Sequence, residues 1–168
     1  MNAELIVLRL IHVLGGVFWV GAGLYNTFFI LPALTRIGGP VPGQLMGALQ
    51  QRRLFVIMPT VAVLTILSGA RLWWLVGGGW HYFQHRSGHI FAVSGILAIL
   101  SFIVGMAISR PAGVRAGTLM RSAASDEASR KLIADEVAKL QYRALVSGYI
   151  AVALLVLAAA GMAVARYL

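Results

Sequence analysis

Four histidines and one arginine carry most of the chemistry this sequence offers: His12, His81, His85, His89 and Arg71. A neutral imidazole can bind a metal through its free nitrogen, and a guanidinium can grip a carboxylate with two parallel hydrogen bonds. His81, His85 and His89 stand at i, i+4, i+8 spacing. A helix there would put three rings on one face, which suits a metal ion. Gly77, Gly78 and Gly79 before that stretch, and Ser87 and Gly88 within it, argue against an unbroken helix. Rings at this position also serve as plain interfacial polar groups, in the manner of Trp73, Trp74, Trp80 and Tyr82 beside them.

These groups are positioned by a membrane. Of the 168 residues 60% are hydrophobic and 11% charged, against about 25% charged in a soluble domain. That balance excludes a soluble enzyme, a disordered tail and a coiled coil. The absence of cysteine excludes disulfides, thiolate metal sites, iron–sulfur clusters and covalently attached haem. Four apolar runs are long enough to cross a bilayer: residues 5–31, 54–76, 87–109 and 144–165. Pro32 closes the first, Gly77, Gly78 and Gly79 the second, and Arg110 with Pro111 the third. The sequence therefore predicts an all-α four-helix membrane bundle forming a single domain, with no convincing internal repeat. Glu4 stands where a signal peptide would carry cations, so residue 1 is expected to remain in the mature protein.

Two connections differ from the spans. Residues 33–53 are rich in glycine and proline and end in Gln50, Gln51, Arg52 and Arg53. Residues 112–143 hold most of the charge. Ser125 can cap a helix there, with Asp126–Arg130, Glu127–Lys131 and Asp135–Lys139 at i,i+4 spacing. Ile133, Val137, Leu140 and Ala144 form its apolar stripe. The expectation is an amphipathic helix over residues 126–143 that runs on into the fourth span, serving as an extension of it or as a docking surface for a partner.

The net charge of +9, 14 Lys and Arg against 5 Asp and Glu, reads as loops facing anionic lipid rather than nucleic acid. Arg36, Arg52 and Arg53 in the first connection, and seven cations between Arg110 and Arg143 in the third, place both on the cytoplasmic side. Both termini then lie outside, and in a bacterium the membrane would be the inner one. On that arrangement every histidine falls in the outer half. His12 lies ~10 Å below the outer surface and Arg71 ~7–8 Å below it. An ionisable group at such depth needs a partner. For Arg71 this is Glu4, the only acid at that end, or a ligand carboxylate, or snorkelling to the interface.

A haem b suits these facts: His12 and His89 as axial ligands from different helices, Arg71 or Arg9 at the propionates, and Gly15, Gly16, Gly21, Gly23 and Gly69 making room for the ring. Close helix packing is the other use of such glycines. Copper handled by His81, His85, His89 and His12 is the alternative chemistry, and a non-catalytic accessory subunit or homo-oligomer the alternative role. No span holds an acid–base pair, and no nucleophile lies beside a base.

The first span, Leu10 through Gly23 with His12, Gly15, Gly16, Trp19 and Gly21, resembles the opening helix of the CopD-like copper-resistance membrane proteins and of the related HemJ-type protoporphyrinogen oxidases. Span two, with Pro59 and then Leu67 through Trp73, is similar to their second helix, and His89 falls near the start of their third. The resemblance covers roughly residues 5–110. It implies a membrane bundle of four or more helices with a histidine in span one, here His12, and haem or copper as ligand. The lysine that the oxidases carry in their third span has no counterpart between Ile90 and Ile108, which argues against porphyrinogen oxidation.

Overall fold

The computed structural model describes residues 3–39, 41–121 and 127–167. Among them there is helix and no strand: α1 (Ala3–Tyr25), a π turn (Asn26–Ile30), α2 (Leu31–Ile37), α3 (Val41–Gln51), α4 (Leu54–Gly77), a 3-10 turn (Gly79–Gln84), α5 (Arg86–Val104), a second π turn (Gly105–Ser109), α6 (Arg110–Arg121), α7 (Glu127–Val164) and a closing 3-10 turn (Ala165–Tyr167). Four helical stretches are long and apolar enough to cross a membrane, 3–37, 54–77, 86–120 and 127–167. They form an all-α bundle with both described ends of the chain on one face, here called the terminal face. The loops rich in arginine mark the opposite, basic face.

Neither Pro32 nor Pro111 ends its helix, contrary to the sequence expectation. In each case a π turn comes first: the Leu31 N–H bonds the Asn26 carbonyl, and the Arg110 N–H bonds the Gly105 carbonyl. The wider turn shifts the carbonyls that a proline ring would strike, and each proline then occupies the second position of a fresh α segment, where its missing N–H matters little. The first and third spans thus continue as α2 and α6. The second boundary agrees with expectation. Gly78 takes φ 69° and returns its N–H to the Trp74 carbonyl, a left-handed helix cap that glycine provides without strain.

α7 is continuous over 38 residues. At 1.5 Å per residue this is about 57 Å, well beyond a ~30 Å hydrocarbon layer. Its amphipathic start does run straight into the last span. Ser125 and the Asp126–Arg130 pair lie outside the described residues. Val137 of the apolar stripe is buried, packed in a head of α2, α3, α6 and the beginning of α7 on the basic face. The ion pair that forms there joins two helices, Arg115 Nη2 to Glu136 Oε1 at 3.7 Å. Glu127–Lys131 and Asp135–Lys139 are not among the ion pairs, consistent with the few tenths of a kcal/mol that exposed i,i+4 pairs contribute.

Among the described residues no bulky side chain is fully buried. The core is mostly small: six alanines, Ala62, Ala98, Ala112, Ala116, Ala158 and Ala165, with Thr27, Thr65, Ser68, Ser94, Ser101 and Ser147, joined by Val137, Val152 and Leu155. Small residues let helix backbones approach, which in lipid replaces the hydrophobic drive available in water. Four of these hydroxyls donate to backbone carbonyls: Thr65 Oγ1 to Val61 and Ser68 Oγ to Leu64 within α4, Ser101 Oγ to Ala151 at 2.7 Å and Ser147 Oγ to Arg143 at 2.7 Å. With its proton so used, Ser147 Oγ accepts from Ser109 Oγ at 2.8 Å.

A repeat that the sequence conceals emerges here. Gly15 and Ser94 each stand 17 residues before their proline. The side chain of Thr65 on α4 fills the gap at Gly15, and the side chain of Ser94 on α5 fills the gap at Gly161 on α7. The two hairpins, α1 with α4 and α5 with α7, use the same hydroxyl-in-glycine contact with the roles exchanged. A Gly161→Leu variant is expected to lose about 1–3 kcal/mol in a reversible unfolding assay in mixed micelles. Gly21→Leu, where an added Cβ meets nothing within 4 Å, should leave the midpoint unchanged.

Candidate functional site

His12 sits on the face of α1 that meets α4. Its ring occupies the space above Gly69, with Cε1 2.5 Å and Nδ1 2.8 Å from where a Gly69 Cβ would stand. Nδ1 lies 2.8 Å from the Thr65 carbonyl oxygen. A carbonyl can only accept, so Nδ1 carries the proton, and Nε2 of the neutral ring keeps its lone pair. The same carbonyl accepts from Ser68 Oγ at 3.1 Å. One helical turn further along α1, Gly15 takes the Thr65 side chain. Imidazole into glycine and hydroxyl into glycine make a reciprocal lock between α1 and α4. A backbone carbonyl holding Nδ1–H is also the usual way a protein fixes a ligating histidine.

Arg71 finds its partner in Glu4. Nε and Nη2 reach Oε1 at 3.0 Å and 2.9 Å, with both side chains about half exposed. Of the possibilities open in the sequence, this is the local one, and it ties the start of α1 to the end of α4 at the terminal face. Arg9 is exposed on α1.

The three remaining histidines do not share a helical face. His81 belongs to the 3-10 turn, His85 is extended (φ −108°, ψ 142°), and α5 begins at Arg86. His85 is extended because it is the residue flanking the helix start, the conformation such a position favours. Gly88 allows the tight return, since its Cα faces the Tyr82 carbonyl with no room for a side chain. All three rings are exposed. His85 lies beside Tyr82 at 6.4 Å and His89 beside Phe83 at 5.7 Å between ring centroids. Phe83 packs in turn on Trp73 at 4.9 Å, and Trp80 on Trp74 at 5.9 Å. Among the described residues no three His, Cys, Asp or Glu side chains gather to hold a metal.

A haem clamped between His12 and His89 does not fit these residues. The buried positions of α5 include Ser94, Ala98 and Ser101. At 100° per residue His89 lies on the far side of the helix from them. Three of the five glycines expected to cradle a macrocycle have other occupants, Thr65 at Gly15, Val152 at Gly23 and the His12 ring itself at Gly69, while Gly21 faces open space. Within the spans, the histidine nitrogen that the Thr65 bond leaves unused is His12 Nε2. Thr65 was missed in the sequence because it acts here through its backbone carbonyl, which carries no residue-type signal.

Comparison of the chain with known protein families, with curated proteins and with solved structures finds no match in any of the three.

Two variants separate the roles. His12→Ala should cost about 1–2 kcal/mol, the range of an interhelical hydrogen bond in lipid. Arg71→Gln should cost less than about 1 kcal/mol and less still at high salt, because the pair is half exposed. Unfolding in micelles at two salt concentrations reads both.

Proposed function

We propose that this chain is an integral membrane protein that holds a metal centre within the bundle near its terminal face, with His12 Nε2 as a protein ligand, and that it serves metal handling or electron transfer. The observation that supports this is the bond from His12 Nδ1–H to the Thr65 carbonyl at 2.8 Å. It fixes the tautomer and leaves a lone pair some 12 Å along α1 from the Glu4–Arg71 pair at the surface. A metal bound there would supply a Lewis-acid or one-electron centre. The chain contributes orientation through Thr65, exclusion of water through the apolar spans, and a charged rim through Arg71 and Glu4.

In this reading the basic face is cytoplasmic and the terminal face lies outside, the membrane being a bacterial inner membrane. The cysteine-free sequence makes orientation directly testable. With a membrane-impermeant maleimide on intact cells, Gln84→Cys is expected to label and Gln51→Cys to label only after lysis. The reverse pattern would invert the assignment.

A second reading, an accessory subunit of a larger membrane complex, is favoured by one feature of the head. An open cavity of about 530 Å³ lies between α2, α6 and α7, walled by Leu34, Leu119, Met120, Ile133 and Val137 with Arg130 at its edge. Metal analysis of the purified chain decides between the two. The first reading expects bound transition metal, copper foremost, that is lost in His12→Ala and retained in His81→Ala and His85→Ala. Protein that takes up no transition metal when copper is supplied would leave only the second.

A further inference from the structure

From the packing of α7 we infer that Met162 is the second protein donor of this centre, so that His12 Nε2 and the Met162 thioether together select a soft, thiophilic metal ion. The inference rests on the proposed metal site and names its ligand chemistry.

Two contact paths place the two residues at one level of the bundle. The first runs through α4 and α5. His12 lies over Gly69, and Trp73, one turn beyond, donates its indole N–H to the Gly88 carbonyl at 3.3 Å. Ile90 and Ser94 follow on α5, heading back toward the level of Gly69 and Thr65. Gly161 of α7 touches both of them. Its neighbour Met162 then lies within about one helical turn of the His12 level. The second path is direct. His12 and Gly23 are eleven residues apart, about three full turns, and so share a face of α1. Gly23 meets Val152 and Leu155 of α7. Three turns further toward the terminal face, the antiparallel α7 presents Met162 and Ala165.

The rotation of α7 agrees. Leu155, Ala158 and Ala165 are buried, and Met162 falls on their stripe, four residues after Ala158 and three before Ala165. It is itself half-buried. Leu155 faces α1 while Gly161 faces α5, so the stripe between them turns inward. The other described methionines lie elsewhere: Met46 and Met120 in the head, Met58 and Met106 toward the basic face. Met162 is the one thioether among the described residues in the half of the bundle that holds His12. An imidazole nitrogen with a thioether sulfur, and no carboxylate beside them, suits copper(I) better than zinc or the hard cations. A bare ion also needs none of the space that the occupied glycines deny to a macrocycle.

The test titrates the full chain, in detergent micelles, with copper(I) against a chromophoric chelator and records X-ray absorption on the loaded protein. One ion per chain with nitrogen and sulfur in its shell is expected. Met162→Leu, which keeps apolar volume and leaves the helical circular dichroism intact, should weaken binding at least tenfold and remove the sulfur scatterer. His89→Ala should change neither. Unchanged affinity in Met162→Leu, or a wild-type shell without sulfur, would overturn this inference and leave the His12 site standing. A wild-type chain that binds no copper(I) would overturn the inference, and binding of no transition metal at all would overturn the reading it rests on.

Discussion

Everything in this bundle depends on backbones coming close enough for a short side chain on one helix to fill the gap left by a glycine on another. In a bilayer the lipid tails are as apolar as leucine, so burying leucine gains little. The chain accordingly builds most of its core from alanine, serine and threonine. Thr65 enters at Gly15, Ser94 at Gly161 and His12 at Gly69. His12 and Thr65 also bond a backbone carbonyl within their own hairpin, so at the α1–α4 contact close approach and hydrogen-bond satisfaction are achieved together. The bulky residues left over, such as Leu14 at 64% and Val17 at 68% exposure, face outward, where lipid is their natural solvent.

That same constraint explains why the histidine in the first span is so well defined. An imidazole set over a glycine has its rotation decided by the facing backbone. One nitrogen must donate to the nearest carbonyl, and the other is left with a lone pair by elimination. The lock is therefore structural and chemical at once. Losing it loosens α1 from α4 and frees the tautomer in the same step. The surface histidines have no such anchoring, and two of them, His85 and His89, rest against the aromatic rings of the loop, close to Trp73, Trp74 and Trp80.

The two π turns show a second use of local irregularity. A proline within a helix removes a hydrogen bond and strikes a carbonyl one turn back. The five-residue turns before Pro32 and Pro111 displace that carbonyl beforehand, so the helices pass on into the head. Both turns meet α7 at adjacent residues: Thr27 lies beside Gly148, and Ser109 bonds Ser147. The two irregularities thus sit on either side of one point of the longest helix, at the junction between span and head.

Much was legible in order along the chain. Hydropathy is additive, so the four crossings, the cap at Gly78, the placement of charge on one face and the histidines near the other could be read from residue types alone. The continuity of α7 followed from the stripe through Ile133 and Val137, and Glu4 was already the only nearby acid for Arg71. What could not be read was rotation and register. Whether His89 faces inward or outward depends on which side of α5 meets α7, and that is set by Ser94 against Gly161, residues 67 apart in the chain. The prolines look like stops until the turn before them is seen, and the partner of His12 is a backbone carbonyl that any residue could have supplied. Composition along the chain decided how many helices cross and which end bears the charge. Pairwise fit between small residues on facing helices decided how each one is turned, and with it which nitrogen is left to do chemistry.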